Sequence, residues 1–269
     1  ECAVVTSKII IRRNMKTPWR LRDLTLSEIK KKKYEVAVLP LGATEPHNLH
    51  LPYGTDILEA EAIGELACEA AAKKGAKVVL LPTIPFGSNR STMAFPLTIN
   101  LDHSTLSSLI KDIAESMEAH RIHKLVILNG HGGNYIRHIL KDMYGRTKVF
   151  LTLINWWEVG APIRSKIFEK RGDHGDEMET SVMLHLYPEL VNLKLADPGS
   201  AKNSRLGGVN EGWAYIVRPW ELVTINSGYG DPRKATAEKG KKYVDYTVRK
   251  IGDYLVELSR TPLSKTFPY

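Results

Sequence analysis

Cysteine is nearly absent: Cys2 and Cys68 are the only two among 269 residues, and no C-x-x-C pair occurs. That excludes a disulfide framework, a dithiol redox motif and thiolate metal ligation. No apolar run approaches the roughly 18 residues needed to cross a bilayer, so no membrane span is expected. A G-x-S-x-G pentapeptide is missing too, which removes the serine nucleophile that "HGGN" at 131–134 would otherwise serve as an oxyanion loop. Repeats, low-complexity tracts and a convincing linker are all lacking, so a single domain over 1–269 is expected. The opening stretch, "ECAVVTSKIIIRRNMK", sets basic residues after a short apolar run without a cleavage site and does not read as a secretory signal. A reducing, cytoplasmic setting is the simplest expectation.

What is present is ordinary globular material, 43% apolar and 25% charged, which excludes wholesale disorder. The net charge of +8 raises nucleic-acid binding as a question. However, the lysines are scattered over surface-like segments such as "KKKK" at 30–33 and "RKATAEKGKK" near the C-terminus, and no nucleic-acid motif accompanies them. Solvated faces are the expectation, with no nucleic-acid partner; an anionic small molecule stays open.

Apolar runs alternate with amphipathic segments. Strands are expected at 34–42, 76–85, 124–130 and 148–157. Helices are expected at 57–75, closed by Gly75, at 104–122, after Asn134, at 176–190 and at 232–259, the last opened by Asp231 and Pro232. The segment "WAYIVRPWELVTIN" reads as a hairpin or an edge strand. Such alternation implies a mainly parallel sheet covered on both faces. Ligands of open α/β sheets gather beyond the carboxyl ends of the strands. Three unusual segments fall there: "GATEPHNLHLPYGTD" after the first strand, "NGHGGN" after the third and "NWWE" after the fourth.

Those segments carry ligand-type side chains. Glu45, His47 and Asp56 offer carboxylate and imidazole donors suited to zinc, manganese or similar divalent ions, and a carboxylate such as Asp56 can bridge two of them. Asp56 also stands where it could cap the helix opening at 57. His131 lies between Gly130 and the Gly132–Gly133 pair, whose missing side chains let the backbone approach a bound ion or substrate. "DHGDEMET" adds His174, Asp176, Glu177 and Glu179. If its helix begins near 174, His174 and Glu177 share a face and Glu179 points elsewhere, to bond within its helix or orient a ligand. His50 is either a satisfied, partly buried histidine or a residue that orients a ligand. His120, His123 and His185 read as structural.

"GATEPHNLHLPYGTD", "NGHGGN", "HGDEMETSVMLHLYPELV" and "SGYGDPRKATAEKG" together resemble, in order, the motifs of the creatininase family, over about residues 34–245. The resemblance implies a three-layer α/β/α sandwich with a mainly parallel sheet, a dinuclear metal centre of zinc or manganese, a hexamer-type homo-oligomer and hydrolysis of the C–N bond of a non-peptide, typically cyclic amide. Creatinine to creatine is the family's name reaction. It further implies that Glu45, Asp56 and His131 hold one ion and that His47 and Asp56 hold the other. Creatininase itself has Tyr and Glu where this chain has Gly132 and Gly133, and Glu177 is the expected replacement ligand. Trp157 matches a tryptophan that walls the family's pocket. Just ahead of His174, where creatininase has a lid tryptophan, this chain reads "FEKRGDH". His174 is the expected acid for the leaving nitrogen, since imidazole titrates near neutral pH. Within the same class stand deformylases and peptide-processing relatives, and outside it a non-catalytic binding module on the same fold.

Overall fold

The computed structural model describes residues 17–269. The opening stretch tested for a secretory signal, with Cys2, lies outside the described residues. Four parallel strands form one sheet in the order β2-β1-β3-β4: β1 (Val36–Leu41), β2 (Val78–Leu80), β3 (Lys124–Asn129) and β4 (Phe150–Asn155). Across its centre Ala37 pairs with Leu125, and Leu125 with Leu151. Every residue of β1 and β3 is buried, as a sheet covered on both faces demands. Even Lys124 is accommodated, its ammonium donating to the carbonyls of Leu258 (2.7 Å) and Thr261 (2.6 Å).

The helices run in chain order as α1 (Leu26–Ile29), α2 (Thr55–Lys73), α3 (His103–Ala119), α4 (Arg137–Met143), α5 (Trp156–Val159), α6 (Ala161–Ile167), α7 (Glu177–Leu186), α8 (Gly207–Asn210), α9 (Trp220–Val223) and α10 (Ala237–Arg260). Strand side chains alternate between faces. Val36, Val38, Val126 and Leu128 enter a core shared with Ile63 and Ala67 of α2 and Tyr243 and Leu255 of α10. Ala37, Leu39, Leu125 and Ile127 enter a second core with Leu106 and Ile110 of α3 and Ile139 of α4. This is the expected α/β/α sandwich. Each fully buried Val, Leu or Ile contributes about 1.5–3 kcal/mol, and the two cores hold the sheet rigid beneath its loops.

Topology positions the site. The chain leaves β1 into α2 on one face of the sheet and leaves β3 into α4 on the other. The loops beyond β1 and β3 therefore diverge and open a crevice at the carboxyl edge, the switch point of a doubly wound sheet.

Several boundaries differ from expectation. β2 has three residues and stops before Pro82 and Pro85, which lack the N–H a ladder needs. β4 ends at Asn155, and Trp156 and Trp157 open α5 instead. Asp231 caps only a 3-10 turn, Pro232–Lys234; Thr236 caps α10 by accepting from the Lys239 N–H (3.2 Å). The segment expected as a hairpin or edge strand contains no strand: it carries α9 and crosses the mouth of a cavity, where Tyr215 meets Tyr135 hydroxyl to hydroxyl (3.0 Å). Among the described residues no helix is long and apolar enough to cross a membrane.

Candidate metal centre

The loop after β1 delivers Glu45 and His47, α2 delivers Asp56 in its first turn, and the loop after β3 delivers His131. All four are buried, His47 completely. Asp56 does not cap α2: the helix begins one residue earlier, at Thr55, and the Asp56 carboxylate turns inward. Its Oδ1 lies 3.0 Å from His47 Nε2 and its Oδ2 3.0 Å from His131 Nδ1. His131 Nδ1 is also 3.0 Å from Glu45 Oε1, and Thr92 donates to Glu45 Oε2 (2.9 Å).

The ring nitrogens decide what the cluster suits. A carbonyl oxygen can only accept, so a ring nitrogen facing one carries the proton. His47 Nδ1 faces the Glu45 carbonyl (3.1 Å), His131 Nε2 the Ser88 carbonyl (3.1 Å) and His174 Nε2 the Pro46 carbonyl (2.8 Å). Each ring thus spends one N–H on the backbone. In each neutral ring the other nitrogen carries a lone pair, directed at carboxylate oxygens that also carry only lone pairs. His131 Nδ1 and Asp56 Oδ2 approach to 3.0 Å. Facing lone pairs repel unless a proton or a metal ion stands between them, and backbone-anchored imidazoles beside carboxylates are the usual surroundings of a metal. The donor set fits divalent ions.

Three donor groups have ligand atoms within 4.8 Å of one another: Glu45–Asp56–His131, His47–Asp56–Glu179 and Glu45–His47–His174. Asp56 belongs to the first two. Glu177, the expected fifth ligand, is not brought to the cluster. Its Oε1 takes the Lys239 ammonium (2.5 Å) and its Oε2 accepts from the Glu169 N–H (2.9 Å). Glu179 stands there in its place. The cause is the helix start. Asp176 caps α7 by accepting from Met178 and Glu179 N–H groups (2.9 and 3.1 Å), so α7 begins at 177 and not near 174. His174 precedes the helix in extended pairing with Tyr229, and Gly175 turns the chain at φ +58°, a left-handed conformation that suits glycine. Glu179 Oε2 then accepts from the Gly175 N–H (2.5 Å). The cap signal at Asp176 is legible in the sequence, but the pairing of His174 to Tyr229 that holds the preceding residue extended is not.

His174 is clamped. Its ring lies 4.1 Å from that of His47 and 5.1 Å from that of Trp220. The Arg218 guanidinium covers Trp220 at 4.9 Å and pairs with Asp173 at 2.6 Å. No sequence pattern pointed to Trp220 or Arg218, which arrive from the segment read as a hairpin. At Gly133 an added Cβ would stand 2.3 Å from His131 Nε2, so glycine there lets the ring reach the Ser88 carbonyl; at Gly132 a Cβ meets nothing within 4 Å.

Electrostatics follow from burial and pairing. Burial would raise the Glu45 carboxyl, but His131 and His174 hold it down at about 2. Burial would likewise raise Asp56, and His47 and His131 pull it well below the usual carboxylate range. His47 and His131, which burial alone would lower, are raised by Asp56 and Glu45, His131 strongly. Glu179 is pushed up to about 8 by burial, against the pull of His174. His50 is lowered to about 4 by burial and by His47, and its Nε2 bonds the Thr180 hydroxyl (2.7 Å), behind the cluster and outside the donor groups. Glu59, unremarked in the sequence, is fully buried on α2 with both oxygens unpartnered, and burial, Glu179 and Asp56 raise it well above the carboxylate range.

A cavity of about 900 Å³ opens over the cluster, with Glu45, Asp56, His131, His174 and Glu179 at its base and Trp157, Gly132 and Gly133 in its wall. Trp156, beside it, is buried in the core against Tyr243.

Known proteins share this architecture. The family model described as creatinine amidohydrolase, Creatininase, matches residues 22–255. The mycofactocin precursor peptide peptidase of Mycobacterium ulcerans (strain Agy99) is 30% identical over 215 residues, covering 76% of this chain and 78% of that one. A crystal structure from Bacteroides fragilis NCTC 9343, provisionally named a creatinine amidohydrolase, superposes with a TM-score of 0.86 at 38% identity, covering 93% of this chain and 100% of its own. A mutant creatininase of Zn–Zn type superposes with a TM-score of 0.74 at 25% identity, covering 90% of this chain and 98% of its own. With the family model spanning most of the chain and the fold shared at this level, the protein is a member of the creatininase family.

Proposed function

We propose that the protein is a metal-dependent hydrolase of amide C–N bonds that works with two divalent ions, zinc or manganese. The observation that carries this reading is the pair of donor groups, Glu45–Asp56–His131 and His47–Asp56–Glu179, that share Asp56 at the base of a cavity. Bound there, the ions would supply a water acidic enough to deprotonate near neutral pH and a positive charge to stabilise an oxyanion. The chain's own residues do the rest. Thr92 and Gly175 fix the Glu45 and Glu179 carboxylates by hydrogen bonds, and Ser88 and Pro46 fix the rings of His131 and His174. With Nε2 committed to Pro46, His174 Nδ1, through its lone pair, is the atom that would take up the proton lost by the attacking water and pass it to the leaving nitrogen. Trp157 and the Gly132–Gly133 backbone shape the wall against which the amide lies. A full donor set, buried and anchored, argues against a binding module that has lost its chemistry.

Cavity size bears on the substrate. About 900 Å³ sits at the upper end of the range for drug-sized ligands, which favours an amide larger than creatinine. The peptide peptidase among the relatives accords with that. Leu97, Trp213 and Val217, apolar and exposed, the last of them on the cavity wall, support a self-associating protein.

The test is turnover. The zinc- or manganese-loaded protein is assayed for ring opening of creatinine and for amine and carboxylate release from formamides and short peptides, before and after chelation and with His174→Ala. Turnover that vanishes on chelation, returns with metal and falls about a hundredfold in His174→Ala supports the reading. Turnover indifferent to both changes overturns it.

A further inference from the structure

The cavity wall carries charge that the proposed hydrolysis does not use. Outside the donor cluster it is lined by four cations, Arg164, Lys170, Arg171 and Arg218, against three carboxylates, Glu158, Glu169 and Asp173. Two of the cations are engaged: Arg164 donates to Asp176 (2.8 Å) and Arg218 to Asp173 (2.6 Å). Among the described residues, Lys170 and Arg171 have no carboxylate at ion-pair distance, although Lys170 lies near enough to Asp231 to lower it slightly. Asp231 itself is committed to both ends of the Arg233 guanidinium, at 2.8 and 2.7 Å. Of the carboxylates, Asp173 is paired with Arg218, and Glu169 faces Lys234 at 3.9 Å. Glu158 alone has no cation at ion-pair distance among the described residues, so the free charge on the wall is positive.

Position gives that charge a use. Arg171 lies three residues before His174, so their Cα atoms are at most about 11 Å apart. A guanidinium offers a planar fork matched to carboxylate or phosphate, and a neighbouring ammonium adds a second point charge. We infer that Lys170 and Arg171 form an anion subsite on the cavity rim, and that the substrate is an amide bearing a carboxylate or phosphate on the side of its leaving group. The inference rests on the hydrolase reading for the word substrate, while the subsite itself can be tested without turnover.

The binding arm uses the chelated full-length chain, so that no metal competes, with inorganic phosphate and malonate as probes in calorimetric titrations. Exposed pairs are individually weak, so a Lys170→Ala/Arg171→Ala variant should weaken binding about fivefold, and the wild-type affinity should fall steeply as salt rises from about 20 to 300 mM. Lys170→Arg/Arg171→Lys should restore it. Both exchanges fall on exposed side chains, and thermal melts verify the fold. An unchanged affinity in the double-alanine variant overturns the subsite. Tighter binding of malonate than phosphate assigns a carboxylate substrate, and the reverse a phosphorylated one. The turnover arm compares formate release by the metal-loaded protein from N-formylglycine and its N-methylamide, and from N-formyl-phosphoethanolamine and N-formylethanolamine. Preference for the anionic partner that collapses in the double-alanine variant supports the inference, and equal rates for both partners overturn it. Probe binding without hydrolysis of any amide sinks the hydrolase reading and leaves the subsite standing.

Discussion

Two glutamates on one helix, two residues apart, should behave oppositely when neutralised. Glu179→Gln removes one of the three donors of the His47–Asp56–Glu179 group while its amide can still accept from the Gly175 N–H. Loss of a residue that merely orients a ligand costs roughly 10–100-fold in metal affinity. Loss of a ligand should cost at least the upper figure, about 2.7 kcal/mol. One of the two proposed ions should therefore be lost on dialysis at micromolar protein, and the chelated variant should melt no lower than the chelated parent, because a carboxyl held away from water has been replaced by a neutral amide. Glu177→Gln leaves all three donor groups intact but weakens a buried, charge-assisted contact with Lys239. Hydrogen bonds to charged groups contribute about 1.5–3 kcal/mol, which at about 2–4 °C per kcal/mol in a chain of this size lowers Tm by about 3–12 °C. Metal per chain, by elemental mass spectrometry, and Tm, with and without chelator, read both effects. Metal lost from Glu177→Gln and kept in Glu179→Gln would refute the reasoning from the α7 start.

Gly133→Ala forces a Cβ to 2.3 Å from His131 Nε2 and 2.4 Å from the Ser88 carbonyl, so it should cost about 1–3 kcal/mol and loosen metal binding, whereas Gly132→Ala, which meets nothing within 4 Å, should change neither Tm nor metal content. His50, 3% exposed and lowered to about 4 from its ordinary 6.5, is more easily protonated in the unfolded chain. Its contribution is therefore complete above pH 6.5 and drains away as pH falls toward 4, by about 2 kcal/mol at pH 5. Urea midpoints at pH 7.5 and pH 5 should diverge less in His50→Gln than in the parent, and an equal divergence would remove His50 as the cause.

Much of this protein was legible in its sequence because the signals are local. Continuous apolar runs read as strands covered on both faces, and the 3.6-residue period of α3 was visible in Leu106, Leu109, Ile110, Ile113 and Met117, of which Leu106 and Ile110 are buried. The order of strand, loop and helix by itself put Glu45, His47, Asp56 and His131 beyond the carboxyl ends of β1 and β3. Motif order alone carried the family resemblance. What the sequence could not decide were contacts set by distant segments. Whether Glu177 or Glu179 reaches the cluster depends on where α7 starts, and that start is set by the Asp176 cap together with the pairing of His174 to Tyr229, more than fifty residues downstream. Which ring nitrogen faces the carboxylates depends on carbonyls at Pro46 and Ser88 that no spacing rule connects to His174 and His131. The segment "WAYIVRPWELVTIN" failed as a hairpin or edge strand because Tyr215, Ile216, Val217 and Trp220 line the cavity instead, and only packing could bring Trp220 to His174. Periodicity and composition act through neighbours along the chain and fix the elements; side-chain direction at a site answers to hydrogen bonds and packing across the fold, which exist only once the chain has closed.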